Sequence, residues 1–228
     1  MKLGVTFSGS GALAARSNEL VEALSDSSLR IGMLSATSLS AVPALLWSRG
    51  LEAAETGELM DLLLGAQSPA LGLRQLEGMG VLRAKAPRYD LAVCSVDCAT
   101  GVTVIFCDSL RSDAWNLKIY PLTGNEREAL TAAICPYGGL EPQKWEEMQL
   151  CDFAARYGCP FFPLWLAGME RTLAVSFAGG DAPAQIAADS LSALTARNAD
   201  RCLVLGGGED PGRAVEALLP ALRALCDG

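Results

Sequence analysis

Two loops built from small residues carry the most chemically suggestive part of the chain. The second of them, Ser35-Ala36-Thr37-Ser38-Leu39-Ser40, falls at a junction between a β-like run and a helix-like stretch. A serine on such a turn stands with its hydroxyl exposed above the sheet, as the nucleophile does in a G-x-S-x-G elbow. Here the pattern reads Ala36-Thr-Ser38-Leu-Ser40, with other small residues at both glycine positions. The same residues also suit a plainer role, because Thr37 or Ser38 could cap the following helix by accepting a bond from its first turn. The first loop, Ser8-Gly9-Ser10-Gly11-Ala12-Leu13-Ala14, lies at the preceding strand-to-helix junction. Glycines there let backbone N–H groups point outward at a helix N-terminus, where the positive end of the dipole favours an oxyanion.

Other readings of the first loop are weaker. Gly9, Gly11 and Ala14 satisfy G-x-G-x-x-A, but no acidic residue lies between Leu29 and Leu51 to bind a ribose. A P-loop fails because no Gly-Lys-Ser/Thr follows. A tight strand-to-helix turn without chemistry is the remaining alternative.

The chain contains no histidine among its 228 residues. A Ser-His-Asp triad, a Cys-His pair and a His-containing metal site are therefore excluded. The four lysines, Lys2, Lys85, Lys118 and Lys144, give no Ser-x-x-Lys spacing. None of the 8 cysteines forms Cys-x-x-Cys, and most sit in apolar runs, so they read as reduced core residues and not as a metal or redox site. No metal and no cofactor are expected. Asp97 and Asp108 read as turn residues, and Asp181 and Asp210 as residues at helix starts.

The elements that must hold these loops follow from the apolar pattern. Strands are expected at Leu3 to Phe7, Leu29 to Leu34, Tyr89 to Val96, Val102 to Phe106, Thr172 to Phe177 and Cys202 to Leu205. Helices are expected at Ala12 to Leu24, Leu39 to Ser48, Leu51 to Leu64, Leu71 to Ala84, Glu126 to Ile134, Pro183 to Thr195 and Pro211 to Leu225. This alternation implies a three-layer α/β/α fold with a mostly parallel central sheet. Half of the residues are apolar and 19% are charged, which suits one large core and a single domain spanning 1–228. The net charge of −8 argues against a nucleic-acid partner. The start of the chain turns polar at Ser8, too early for a signal peptide, and Cys159 to Met169 is too short to span a bilayer. A soluble cytoplasmic protein is expected. The last helix is amphipathic and reads as packing on the sheet.

In their order along the chain, these features resemble the patatin-like phospholipase family. Ser8-Gly-Ser-Gly-Ala12 is similar to that family's glycine-rich oxyanion loop. Ser38-Leu-Ser-Ala-Val-Pro-Ala-Leu-Leu-Trp-Ser-Arg-Gly50 is similar to its nucleophile helix, and Val96-Asp-Cys-Ala-Thr-Gly101 to its central Asp-x-x-Thr-Gly hairpin. Ala132-Ala-Ile-Cys-Pro-Tyr-Gly-Gly-Leu-Glu-Pro142 resembles the small-residue segment ahead of the catalytic aspartate. Leu150-Cys-Asp152-Phe-Ala154, with Pro160 downstream, stands where the family has Asp-Gly-Gly/Ala.

The resemblance implies a serine acyl hydrolase with a Ser-Asp dyad. Ser38 would attack an ester carbonyl, Asp152 would take its proton, and N–H groups around Gly9, Ser10 and Gly11 would hold the oxyanion. The implied partner is a lipid or small acyl ester, met in solution or in transient contact with a membrane surface. A desolvated Asp152 would be a better base, and Phe153, Phe161, Phe162 and Trp165 are candidates for the apolar surroundings. The sequence departs from the family at Phe153, which stands in place of glycine. Phenylalanine cannot cheaply adopt positive φ, so a reshaped aspartate loop is expected. Ala36, Ser40, Ser10, Leu13 and Ala14 are further departures. The alternative they motivate is a catalytically silent binding module on the same scaffold.

Overall fold

Alternating runs of β-branched and small apolar residues build a sheet, and the intervening amphipathic stretches cover it. A computed structural model describes residues 1–9, 14, 17–83, 86–136 and 142–227. In chain order the strands are β1 (Leu3–Gly9), β2 (Ile31–Ala36), β3 (Asp90–Asp97), β4 (Thr103–Phe106), β5 (Leu117–Tyr120), β6 (Gln143–Trp145), β7 (Met148–Asp152), β8 (Arg171–Ala178) and β9 (Arg201–Gly206). The helices are α1 (Ser17–Asp26), α2 (Ala41–Ser48), α3 (Ala53–Gly65), α4 (Pro69–Gly78), α5 (Glu126–Ile134), α6 (Ala154–Tyr157), α7 (Phe162–Leu166), α8 (Pro183–Ala196) and α9 (Pro211–Asp227).

The main path of the sheet runs β5-β4-β3-β2-β1-β8-β9. The five strands from β3 to β9 along this path are parallel, and β4 turns back antiparallel on β3. Every residue of β1 is buried, as befits a strand covered on both faces. On one face Leu3, Val5 and Phe7 join Trp47, Leu73, Leu130 and Leu222 in the main core under α1–α5 and α9. On the other, Met33, Ala92, Cys94, Phe153 and Leu164 form a second core, with Cys159, Phe161 and Ala196 in a third cluster beside it. The fold is three-layer α/β/α, as the alternation of elements implies.

The expected elements are present with shifted ends, and five more appear. The expected helix from Ala12 is described from Ser17, with residues 10–13, 15 and 16 outside the described residues. The helix expected to reach Ala84 instead stops at Gly78, where Gly80 turns at φ +77° ahead of a short 3₁₀ turn, Val81–Arg83. β5, the β6–β7 hairpin and the short helices α6 and α7 were not expected. All eight cysteines are free thiols, six of them buried. Among the described residues, no helix is long and apolar enough to cross a membrane.

The late hairpin decides where the chemistry can be. β2 and β7 both pair with the edge of β3 opposite β4. β2 runs parallel and ends at Ala36 opposite Val93, while β7 runs antiparallel and ends at Asp152 opposite Ser95. Two strands advancing toward each other along one edge must bring their C-terminal ends together. Val93 and Ser95 are two residues apart, a separation of roughly 7 Å along a strand.

A buried ion pair fixes the helices around this meeting point. Arg49, at the end of α2, donates to Glu126 Oε1 at 3.0 Å, and Arg83 Nε donates to Oε2 at 3.0 Å. Glu126 opens α5 and is almost wholly buried. Removing one member leaves the other charge desolvated, which costs far more than a surface pair is worth. Glu126→Ala should therefore lose about 3–5 kcal/mol of stability in urea denaturation. Removing an exposed acid such as Glu216 should cost within about 0.5 kcal/mol. Equal effects from the two variants would refute the anchoring role.

Candidate active site

Ser38 lies between β2 and α2, and its φ is +58°. A non-glycine residue in the left-handed region carries strain on the order of 1 kcal/mol or more, so the surrounding structure must hold it there. Two bonds do so: Thr37 N donates to Phe7 O at 3.1 Å, and Ser40 Oγ donates to Thr37 O at 2.7 Å. The first ties the turn to β1, and the second braces it from the start of α2. Neither Thr37 nor Ser38 caps α2 with its side chain. Ser40 stands at the cap position, without a side-chain bond to the helix.

Both hydroxyls point instead at Asp152. Ser38 Oγ donates to Asp152 Oδ2 at 2.6 Å, and Thr37 Oγ1 to Oδ1 at 2.8 Å. Ala154 N also donates to Oδ1, at 2.9 Å. The backbone of Asp152 is held as well, its N–H donating to Cys135 O at 2.7 Å just beyond α5. Ser38 and Asp152 are thus in direct hydrogen-bond contact although 114 residues separate them.

The Asp152 carboxyl is raised to about 6: burial drives it up, the bonds from Ser38, Ala154 N and Thr37 pull it partly back, and the charge of Asp189 adds a smaller upward push. Asp189, itself buried, accepts from the N–H groups of Gly179 and Gly180 at 3.2 and 2.9 Å. A carboxyl near 6 is mostly ionised at neutral pH yet a much better proton acceptor than an exposed aspartate.

The dyad opens on a cavity of about 460 Å³ whose lining is mainly apolar, including Leu39, Leu63, Ile134, Ala155 and Ala188. These residues, and not the aromatic ones expected, surround the cavity on which Asp152 opens. Phe153, Phe161, Phe162 and Trp165 line a different cavity. Nor does Phe153 reshape the aspartate loop. Its φ is −61°, ordinary helical backbone at the start of α6, and its side chain enters the second core.

Of the three residues expected at the oxyanion site, Gly9 ends β1, while Ser10 and Gly11 lie outside the described residues. Gly9 has φ +110°, and a Cβ there would lie 2.0 Å from Phe177 O on β8. No side chain fits this turn. The other acids behave as turn residues. Asp97 accepts from Thr100 and from Gln149 N, and Asp108 from Leu122 N and Thr123. Burial opposes ionisation of Asp97, but its hydrogen bonds outweigh that and hold it below the usual carboxylate range. Burial pushes the thiol of Cys159 up to about 12 and raises Cys94, Cys135 and Cys151 too, which makes them poor nucleophiles. Among the described residues, no group of three or more acidic or cysteine side chains is arranged to hold a metal ion.

Thr37 and Asp189 are the residues of the site that sequence reasoning missed. The only signal for Thr37 was its place beside Ser38. Its hydroxyl has one proton and two acceptors, Asp152 Oδ1 and Cys94 O, the latter at 3.0 Å. Thr37→Val keeps the shape and removes a bond that favours the ionised carboxylate. The Asp152 pKa should rise by up to about one unit, and Thr37→Ser should restore it, as read by NMR titration of ¹³C-labelled aspartate. An unmoved titration would refute this role.

The raised Asp152 pKa also has a sign for stability. The folded state binds the proton more tightly than the unfolded chain, so folding is fully favoured below about pH 4 and penalised as pH rises through about 6. Asp152→Asn removes that penalty. It should exceed the parent in stability by on the order of 2–3 kcal/mol at pH 8. In urea melts the gap should close below pH 4, whereas a gap independent of pH would contradict the desolvated carboxyl.

Comparison with known proteins found no family model and no curated protein that matches this chain.

Proposed function

We propose that this chain is a patatin-like serine acyl hydrolase acting on lipid or other carboxylic esters through a Ser38-Asp152 dyad. The observation that carries the reading is the 2.6 Å bond from a strained, elbow-held serine to a desolvated aspartate at the mouth of an apolar cavity. The acyl chain would lie in that cavity, whose size falls in the range of small-ligand sites. As Ser38 Oγ attacks the ester carbonyl carbon, its proton passes to Asp152 Oδ2. The resemblance assigns the tetrahedral oxyanion to backbone N–H groups of Gly9, Ser10 and Gly11. Collapse breaks the ester C–O bond, and Asp152 returns the proton to the leaving alkoxide. Water, deprotonated by Asp152, then attacks the acyl-enzyme, releasing the carboxylic acid and restoring Ser38. On this reading the enzyme works in the cytoplasm and meets its lipid in transient contact with a membrane surface.

Purified protein should hydrolyse p-nitrophenyl octanoate at least about tenfold faster, in kcat/KM, than the acetate, because the longer chain buries more methylenes. Ser38→Ala and Asp152→Asn should each reduce kcat by about 10³-fold or more. The rate should rise through about pH 6 as Asp152 ionises and then level off. Failure of a fluorophosphonate to label Ser38, with no turnover, would replace this reading with the silent binding module.

A further inference from the structure

We infer that the second cavity is a separate binding site for a neutral, planar aromatic molecule with a hydrogen-bonding edge. This cavity has a volume of about 310 Å³ and lies on the same carboxyl edge of the sheet as the dyad, near the ends of β3 and β7. The single turn of α6 separates the two spaces. Ala155 lines the cavity of the dyad, while Phe153 and Tyr157, on either side of it in sequence, line the other. The inference does not depend on the proposed hydrolase activity.

The walls select the ligand. Phe153 and Tyr157 form one ring pair, with centroids 5.0 Å apart. Phe161 and Trp165 form a second, with centroids 6.2 Å apart and planes within 17° of parallel. Ring faces of this kind attract another π-system in offset stacking more than they attract an alkyl chain of equal area. Trp165 keeps 58% of its surface exposed, so an apolar face is left for a ligand to cover, whereas the Tyr157 ring already packs on Phe153 and under the Arg156 guanidinium, 5.6 Å from its centroid. Phe153 and Phe161 are buried and fix the inner wall.

The polar groups set the edge and the charge. Asn116 and Asn198 both line the cavity, and neither carboxamide is hydrogen-bonded within the protein among the described residues. A carboxamide donates and accepts at once, so it matches a lactam or amino-heteroaromatic edge that does the same. No charged side chain lines the cavity among the described residues, and a charged ligand would lose hydration without an ionic partner. A planar, neutral, bicyclic heteroaromatic fits all three conditions. Phe153 thereby acquires a role: at a position where the resembled pattern has glycine, it walls a cavity.

Isoquinolin-1(2H)-one, a flat neutral lactam, is the probe, titrated by calorimetry and saturation-transfer NMR into the full chain. Saturable binding with a Kd near or below about 1 mM is expected for a molecule of this size. Trp165→Ala and Asn198→Ala change exposed positions and should leave the fold intact by circular dichroism. Each should weaken binding at least about fivefold. The ring-saturated lactam should bind at least about tenfold more weakly. Labelling Ser38 beforehand with a fluorophosphonate should leave the affinity unchanged. The inference is overturned by no saturation up to about 10 mM, by an unaltered Kd in Trp165→Ala, or by equal binding of the saturated lactam.

Discussion

The site depends on one strand edge being shared. β3 offers a single edge to two strands, β2 and β7, which run toward each other along it and end two residues apart. Had β2 continued past Ala36, it would have displaced β7, and the elbow serine would have had no carboxylate beside it. Thr37 occupies the junction. Its hydroxyl reaches the carbonyl of Cys94, the β3 residue between the two partners of the incoming strands, and also reaches Asp152. A parallel sheet ordinarily opens a crevice at the carboxyl ends of its strands. Here an antiparallel strand delivers a carboxylate into that crevice from the opposite direction.

Opposing forces on Asp152 set its chemistry. Burial alone would drive the carboxyl toward neutrality, and a neutral acid cannot take the proton of Ser38. Three hydrogen bonds to its oxygens restore the charge in part, and the balance falls at about 6. At pH 7 such a group is about nine-tenths ionised. One fewer donor would shift it toward the neutral form, and full solvation would return it to a weak base. Strain at Ser38 and desolvation at Asp152 both weaken the fold locally. The Arg49–Glu126 anchor, the Thr37–Phe7 bond and the all-buried α2 are what hold such costs in place.

Much of this was legible in the sequence, and the remainder was hidden for identifiable reasons. Ser38 could be read because a strand-helix junction of small residues has a local signature. Asp152 had none. It followed from the ordered resemblance alone, because the strand that carries it is formed by a hairpin without the usual turn chemistry. The turn is Glu146-Glu147, with Glu146 at φ +52°, where glycine or asparagine ordinarily marks the bend. The lining of the cavity was not legible because Leu39, Leu63 and Ile134 come from the elbow turn and from two helices, α3 and α5, whose convergence is a tertiary fact. The nearby aromatic run instead faces the other side of α6.

The distribution of glycine connects the departures to the geometry. The resembled pattern carries glycine at positions held here by Ala36, Ser40 and Phe153. Ala36 lies in extended strand, while Ser40 and Phe153 have φ of −62° and −61°. None needs a left-handed conformation, so a side chain costs only the space it fills. Ser40 offsets even that by bracing the elbow through Thr37 O. Gly9 differs on both counts, with φ +110° and the backbone of Phe177 where a Cβ would stand. At that position only glycine fits. Side chains therefore stand where backbone sterics permit them and glycine stands where they do not, next to a turn whose serine is in direct contact with the Asp152 carboxylate.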